Sequence, residues 1–290
     1  MQTFEKRSID VLFSIVSGSP DGQPRQISFS GLRVSARIRY EAGAYNMADI
    51  QIYGLSQDFM RQLITIHAYG WTGNSFVNNR IALRYTDETN ITIFEGGIVS
   101  ALIDYNTAPE VPFAILASAT YMEQMTAPEA LSFPGSVTVE TILQKILGKS
   151  AGKTLENKGV DTVLTDESVN GSVMDMIDQV CRHANIEYWM QNNTLIIAPK
   201  GSTAESAAPI ELTPETGLVG WPVLTQYGCN ARALFSPDYV AMRTVKLACP
   251  VLFDGTRTFY IVGLTHEVDS EVPGGRWHTR LRLQLNTSNG

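Results

Sequence analysis

The C-terminal segment carries the pattern that most restricts what this chain can fold into. Phe259 to Leu285 forms two β-rich arms, with the turn-forming sequence EVPGG between them. Side chains of the second arm alternate in character, with Arg276, His278, Arg280 and Arg282 interleaved with Trp277, Thr279, Leu281 and Leu283. Alternation with a period of two is typical of an antiparallel strand with one solvated face. The segment therefore predicts a C-terminal β-hairpin.

Composition narrows the class of protein. Charged residues make up 18% of the 290-residue chain, below the ~25% usual for soluble domains, which fits a protein that buries surface against partners. The formal net charge of -7 argues against nucleic-acid binding as the main task, but it permits DNA to pass an acidic wall. The three cysteines form no CxxC pair, so a reducing compartment fits best. We expect neither a signal peptide nor a membrane helix, because MQTFEKRSID has no apolar core and no apolar run approaches ~20 residues.

The first part of the chain, from residue 8 to about 121, is dominated by strand patterns. Leu32 to Tyr40 alternates between apolar and polar side chains, which predicts a half-buried strand. Ser56 precedes apolar residues spaced three and four apart, which predicts a short helix that begins there. Gly96 and Gly97 interrupt the longest strand pattern of this block and predict a bulge or a sharp bend. Strongly curved strands of this sort close small barrels.

The middle of the chain changes to a helical pattern. Thr138 and Gly148 delimit one predicted helix, and a second follows Asn170. Between the helices we predict a loop with one short strand at 162–164. The sequence IEYWMQ-NN-TLIIAP then predicts a hairpin that turns at Asn192-Asn193. Residues 201–208 are small and polar and predict a linker, after which strand patterns return to the end.

Four stretches, taken in order, resemble the baseplate hub proteins of tailed bacteriophages, which are related to the spike base of type VI secretion systems. The stretches are ADIQIYGLSQDFMRQL (48–63), ITIFEGGIVSALIDYN (91–106), the helical module SVTVETILQKIL with NGSVMDMIDQVCRHANIEYWMQNNTLIIAPKG, and the hairpin YIVGLTHEVDS with WHTRLRL. Each is a pattern of fold rather than a chemical signature. Together they span most of the chain, and their order carries the resemblance.

The resemblance implies an α+β, mainly β fold, in which two small antiparallel β-barrel, tube-like domains flank a helical module with a β-hairpin. The corresponding domains are 1–122, 123–203 and 204–290. It also implies a homotrimer whose six similar barrels form a ring between the sixfold tail tube and the threefold central spike. The implied partners are the spike, the tail tube or distal tail protein, baseplate wedge proteins and the tape measure protein, with DNA only in transit. The implied location is the virion tail, assembled in the host cytoplasm, without membrane insertion.

Motifs for enzymatic chemistry are missing from the sequence. No G-x-S-x-G, HExxH or G-x-G-x-x-G pattern occurs. The tripeptide at 152–154, GKT, looks like part of a phosphate-binding loop, but Gly148 is one residue too close and follows a helix, so a solvated loop is predicted. The acidic pairs at 87–88 and 166–167 lie in predicted loops, where solvation explains them. We therefore expect a protein that is not an enzyme and has no cofactor.

Several reactive or aromatic side chains are predicted to be structural. His266 and His278 can meet across the hairpin, and a cross-strand polar pair is favoured over a metal site because neighbouring strand residues point to opposite faces. Cys181 lies on the apolar stripe of a helix, which predicts a buried, inert thiol. Trp189 and Trp221 are predicted to be core residues.

The best functional candidates are exposed arginines and one tryptophan. The arginines form two strand faces, one with Arg33, Arg37 and Arg39, the other with Arg276, Arg280 and Arg282. Such a face is either ordinary solvated surface or an interface that pairs with acidic faces of neighbouring subunits or of the tail tube, for which the guanidinium fork is suited. Nucleic acid is the third reading, because the rest of the chain is acidic. Trp71 lies in a loop rich in Gly and Asn, where it either anchors a partner or folds back onto its own domain.

Three alternatives to a phage baseplate hub remain open from the sequence. One is the hub of a phage-like contractile injection particle or a type VI spike base. The second is a tail-associated protein that binds or hydrolyses carbohydrate. The third is a plain soluble β protein whose elements only look modular.

Overall fold

A computed structural model describes residues 8–16, 23–43, 46–64, 79–86, 90–150, 152–200, 208–249 and 255–285. Of these described residues, 52% lie in strands and 15% in helices, so the predicted mainly β class is confirmed. Trp71, the acidic pair at 87–88 and most of the predicted linker, 201–207, lie outside the described residues.

Strands provide most of the regular structure, and the helices are short. The strands are β1 (Ile9–Ile15), β2 (Arg25–Phe29), β3 (Val34–Glu41), β4 (Met47–Ile52), β5 (Arg80–Tyr85), β6 (Ile91–Ile103), β7 (Phe113–Ser118), β8 (Leu131–Thr138), β9 (Thr154–Asn157), β10 (Val163–Val169), β11 (Ile186–Gln191), β12 (Thr194–Pro199), β13 (Ile210–Leu212), β14 (Val223–Thr225), β15 (Gly228–Leu234), β16 (Thr244–Ala248), β17 (Thr256–Ser270) and β18 (Trp277–Leu285). The helices are α1 (Gln57–Leu63), α2 (Tyr121–Met125), α3 (Val139–Leu147) and α4 (Val173–His183).

The chain divides into two compact units. The first consists of residues 1–38, 47–121 and 266–277, and the second of 39–46, 122–265 and 278–290. In the first unit the strands neighbour one another in the order β3-β4-β7-β6-β5-β1-β2. The pairs from β4 to β2 are antiparallel. Strand β3 buries every second residue, as its sequence predicts.

The first unit has a core of aliphatic side chains with an aromatic cluster beside it. Phe13, Phe29 and Phe59 meet edge to face, with ring centroids 5.0–6.0 Å apart. Phe59 comes from helix α1, which Ser56 caps by accepting a hydrogen bond from the Phe59 backbone N–H. The helix therefore starts at the predicted residue, and its apolar face packs on β1 and β2. Edge-to-face pairs add ~0.5–1.5 kcal/mol each beyond their buried area.

Strand β6 is bent by two register shifts that flank its glycine pair. One extra residue stands between the partners Phe94 and Thr92, and another between Ile98 and Ser100. At Gly96 an added Cβ would stand 2.6 Å from the carbonyl carbon and oxygen of Ser118, so only glycine allows this approach of β7. The predicted bulge at the glycine pair is confirmed, and it curves the longest strand of the first unit.

The curved sheet of the first unit brings β1 to the end of β17. The Ile9 backbone N–H donates to Ser270 Oγ at 3.1 Å, and the rings of Tyr85 and Trp277 lie 5.7 Å apart. This is a side-chain contact and not a strand pairing. Over the described residues neither unit is closed into a barrel by strand pairs, so barrel closure stays a prediction.

The second unit combines strands with the helical module. Strands β14, β15 and β18 are antiparallel neighbours, and β16 pairs antiparallel with β17 and parallel with β13. The module has an antiparallel pair, β8 with β10, and the three-stranded order β11-β12-β9. The predicted hairpin β11–β12 is confirmed: Gln191 pairs with Thr194 across a two-residue turn in which Asn192 has φ 51°.

The helical module has its own hydrophobic core. Helix α3 runs from the N-cap Thr138 to the C-cap Gly148, as predicted. Helix α4 begins after Ser172, whose hydroxyl and the Asp175 carboxylate form a reciprocal capping box. Apolar residues from both helices and from β11 and β12 are buried together, among them Leu143, Ile146, Ile177, Val180, Leu195 and Ile197.

The segment between the two helices is more regular than predicted. Instead of a loop with a short strand, it contains β9 and a seven-residue β10. Strand β8 and helix α2 were not predicted either. Strand β8 buries only Phe133 and includes Pro134 and Gly135, so it shows no apolar alternation. The three-domain division at 122 and 203 stays a prediction.

Candidate interaction surfaces

The Arg33 side chain lies at the surface of the first unit, where it contacts Glu110 and Tyr53. Its Nη1 lies 2.5 Å from Glu110 Oε2, and its guanidinium stacks 4.4 Å above the Tyr53 ring. Both members of the ion pair are exposed, so the pair contributes little to stability. A guanidinium has five donors, and the contact with Glu110 leaves others to bind a partner.

Arg37 and Arg276 cover two carboxylates on β17. Arg37 Nε and Nη2 donate to Glu267 Oε1 at 3.0 and 2.6 Å, and the Glu267 side chain is only 2% exposed. Arg276 forms a bidentate pair with Asp269 at 3.0 and 2.9 Å and also donates to Ser35 Oγ at 2.6 Å. The arginine heads remain partly exposed on this face of the first unit.

The charge network fixes the ionisation of Asp269. Burial by itself would raise the pKa of this carboxyl, but hydrogen bonds from Arg276 and Ser35, together with the Arg276 charge, hold it below its ordinary value. The same hydrogen bond raises the pKa of Arg276 above its usual range. The pair is therefore ionised over the whole neutral range. It presents a positive guanidinium outward from a buried negative group.

The second arginine face lies on β15 and β18 of the second unit. Arg280 stands directly opposite Arg232 in the strand pairing, and Arg282 stands opposite Asn230. All three arginines are exposed. Arg282 Nη2 is 3.9 Å from Glu41 Oε2, a distance at which attraction is weak on an exposed surface. Arg39 is also exposed. Sequence reasoning missed Arg232, although Asn230 and Arg232 alternate with buried small residues along the seven-residue strand β15.

His278 does not lie on a solvated face as the alternation predicts. It is buried, because Arg232 lies across it with Nη2 at 3.0 and 2.9 Å from the two ring nitrogens. His266 is also buried, and burial lowers its pKa to about 3, so the ring is neutral at physiological pH. Direct pairing of His266 with His278 stays a prediction. Over the described part of the chain, no group of three or more His, Cys, Asp or Glu side chains is placed to hold a metal ion.

The prediction that Trp221 belongs to the core is wrong. Its side chain is 65% exposed, and it stands just before β14, where Val223, Leu224 and Tyr227 are also exposed. Trp189 is buried, as predicted. Both tryptophans have apolar neighbours in the sequence, so local sequence does not distinguish the buried Trp189 from the exposed Trp221. Only their positions in the tertiary structure do. An exposed apolar patch of this kind marks a place where another molecule binds.

Lys153 is not part of a solvated loop, contrary to the prediction for the GKT tripeptide. Its Nζ is 3.6 Å from Glu123 Oε2 and 3.2 Å from the Asn192 carbonyl oxygen, and both members of the ion pair are buried. Ser150 Oγ donates to Glu123 Oε1 at 2.5 Å. A lysine fixed in this way has no ammonium available for a phosphate.

Cysteine chemistry follows the prediction. Cys181 is buried in helix α4, and burial followed by the nearby Asp178 charge raises the pKa of its thiol far above the usual range. Cys229 and Cys249 are free and buried as well. All three thiols are therefore poor nucleophiles.

Within the described residues, no helix has the length and apolar character needed to cross a membrane.

Comparison with known proteins decides the family. The sequence family described as baseplate hub gp41 matches residues 9–271, which is most of the chain. The chain belongs to this family. The resemblance carried by the four sequence stretches is thereby confirmed. This baseplate hub protein is a structural protein of the bacteriophage tail and a component of the virion.

Solved structures share the fold of this baseplate hub protein at low sequence identity. The tail protein of Neisseria meningitidis MC58 is 10% identical with a TM-score of 0.60, over 94% of this chain and 96% of that one. The E. coli c3393 protein, a component of the type VI secretion system, is 11% identical with a TM-score of 0.62, over 96% and 77%. The prophage MuSo2 43 kDa tail protein of Shewanella oneidensis is 7% identical with a TM-score of 0.60, over 96% and 98%. No curated protein sequence matches the chain.

Proposed function

We propose that three copies of this baseplate hub protein form a ring that joins the sixfold tail tube to the threefold central spike. Membership of the baseplate hub gp41 family, over residues 9–271, is the observation that carries the proposal. The ring encloses a lumen through which DNA or the tape measure protein passes. The role is structural, and the chain acts through its geometry and not through catalysis.

Two tube-like β domains per chain give six equivalent positions from three subunits. We assign them to residues 1–122 and 204–290, with the helical module of 123–203 between them. The first assignment is supported by the curvature of β6, the longest strand within residues 1–122. The second is supported by the antiparallel strands β14, β15 and β18.

Contacts between subunits in a closed ring are heterologous, so two different faces of each chain must match. We propose that the arginine faces contribute to contacts with neighbouring subunits or with the tail tube, with Arg33, Arg37, Arg39, Arg276, Arg280, Arg282 and Trp71 as the interface residues. The exposed guanidinium groups support this, because arginine binds carboxylates with two hydrogen bonds at once. Spike, tube or distal tail protein, wedge proteins and tape measure protein are the proposed partners, in a particle assembled in the host cytoplasm.

A second candidate function is the hub of a contractile injection particle. The fold likeness to a component of the type VI secretion system favours it. Both functions use the same ring geometry and differ in the particle that carries it. Finding the chain in purified DNA-filled virions supports the phage role, whereas finding it only in particles without DNA supports the injection particle.

The solution mass of the purified chain tests the ring. One chain has a mass of 31.9 kDa, so we expect light scattering across a concentration series to give about three times that value. If the chain stays monomeric, the measurement is repeated with a candidate spike protein. A monomer that forms no complex with that spike contradicts the proposal.

A matched pair of variants links the mass to the arginine faces. Arg39→Glu reverses an exposed charge on a proposed contact face, and we expect it to weaken the trimer at least tenfold. Arg61→Glu reverses an exposed charge on helix α1, outside both faces, and serves as the control. Equal trimer stability in both variants contradicts the assignment of Arg39 to the interface.

A further inference from the structure

A groove in the second unit combines an apolar wall with a basic floor. It has a volume of about 550 Å³, and its wall is formed by Trp221 and Val223. Its floor carries Arg232, Arg280 and Arg282, all with exposed side chains. We name this feature the Trp221 groove. Its volume falls in the range of sites that bind ligands through a few polar groups and an apolar surface.

The wall of the Trp221 groove belongs to a strand with an open edge. Among the described residues, β14 pairs with β15 on one side and ends the strand order on the other. All three of its residues are exposed, with Val223 at 65% and Leu224 at 54%. Strand β14 has no charged side chain, but it is only three residues long and follows Pro222, and both features limit pairing along an edge. Its exposed aliphatic side chains beside an exposed tryptophan therefore indicate a short apolar surface that another chain covers.

The floor of the groove concentrates positive charge. Arg232 and Arg280 stand directly opposite each other on the neighbouring strands β15 and β18. Arg282 follows two residues later on the same face. Gly263 on β17 leaves the space that its guanidinium occupies, since a Cβ there would stand 3.1 Å from Nη2.

We propose that the Trp221 groove binds an acidic, extended peptide segment of a partner protein. An apolar side chain of the segment packs against Trp221 and Val223, and its carboxylates pair with Arg232, Arg280 and Arg282. Backbone groups at the open edge of β14 offer hydrogen bonds to the extended segment, as in strand addition to other sheets. The proposal does not depend on the ring, because the groove lies within one chain.

Two other occupants fit the groove less well. A second copy that paired through β2, which ends the same strand order as β14, would bring Arg25 toward a basic floor. A nucleic acid would match the arginines and stack on Trp221, but it would leave the aliphatic edge of β14 uncovered. Charge and edge chemistry together favour a peptide that is both acidic and apolar.

Fluorescence anisotropy with labelled octapeptides tests the proposal on the full chain. The probes are alternating Glu-Val, alternating Lys-Val and alternating Ser-Val peptides, with a labelled fifteen-nucleotide oligothymidine as a separate arm. We expect the Glu-Val peptide to bind at least tenfold more tightly than the other two peptides. An oligonucleotide that binds more tightly than the Glu-Val peptide would overturn the proposal and assign the groove to nucleic acid.

Five variants test whether the Glu-Val peptide binds in the Trp221 groove. We expect Arg280→Glu and Trp221→Ala each to weaken Glu-Val binding at least fivefold, and Glu41→Gln to strengthen it two- to fivefold because a competing carboxylate is lost. Arg61→Glu reverses an exposed charge and Tyr105→Ala removes an exposed ring, both in the first unit, and both variants should leave binding unchanged. Binding that is absent, or that all five variants leave unchanged, overturns the proposal. Retained circular dichroism spectra confirm that the variants are folded.

Discussion

At the scale of single residues, position 96 requires glycine because the backbones of β6 and β7 approach each other closely there. A Cβ at this position would meet the Ser118 carbonyl group at 2.6 Å, and neither strand can yield without breaking its pairing with a neighbour. We expect Gly96→Ala to lower the free energy of unfolding by about 2 kcal/mol or more, within the range for overpacked cores. Urea unfolding followed by circular dichroism measures the difference.

Gly148→Ala is the matched control for that substitution. Gly148 caps helix α3 with φ −60°, and an added Cβ would make only ordinary contacts at 3.5 Å. We expect a change of less than about 1 kcal/mol, because alanine has a higher helix propensity than glycine. If the two variants lose equal stability, steric exclusion at Gly96 is not the reason for its glycine.

The buried neutral ring of His266 predicts that the folded chain becomes less stable as the pH falls. Its pKa is about 3 in the folded chain and about 6.5 when unfolded, so below pH 6.5 only the unfolded chain takes up the proton. The contribution of His266 to the free energy of unfolding is therefore fully present above pH 6.5. Below pH 6.5 the free energy of unfolding falls by about 1.4 kcal/mol per pH unit, until the pH approaches the pKa of the folded chain. At pH 5 the loss is about 2 kcal/mol.

The variant His266→Gln should lack this part of the pH dependence. The measurement is urea unfolding of the wild type and the variant at several values between pH 7.5 and 5. We expect their stability difference to shrink toward low pH by about 2 kcal/mol. A constant difference between His266→Gln and the wild type contradicts a neutral buried ring.

At the scale of elements, sequence patterns predicted those parts whose signals are local. Helix α3 was predicted to the residue because Thr138, an apolar stripe and Gly148 coincide. The hairpin β11–β12 was predicted because Asn192 tolerates positive φ. Strand β8 was missed because its partner β10, and not its own apolar pattern, defines it. The candidate surfaces were predicted from alternating arginines, whereas Trp221 was misplaced because exposure depends on tertiary structure.

The ion pair between Glu123 and Lys153 connects elements that the sequence separates. Because both side chains are buried, Glu123→Gln would leave a charged ammonium without its counter-ion, and we expect a loss of about 3–5 kcal/mol. The double variant Glu123→Leu, Lys153→Met removes both charges and should lose much less. Thermal and urea unfolding of the two variants give the comparison. Equal losses would show that the pair contributes through packing alone.

At the scale of the whole molecule, sequence patterns alone were enough to indicate the family, while barrel closure and ring assembly depend on contacts that one chain does not show. Assembly makes a thermodynamic prediction, because a native state that associates is stabilised by mass action. We expect the midpoint of thermal unfolding to rise by roughly 4 °C over a hundredfold increase in concentration. Differential scanning calorimetry measures it, with Arg39→Glu as the variant of weakened association. A midpoint independent of concentration, in a chain that light scattering finds trimeric, would mean that the subunits separate without unfolding and that each chain is stable alone.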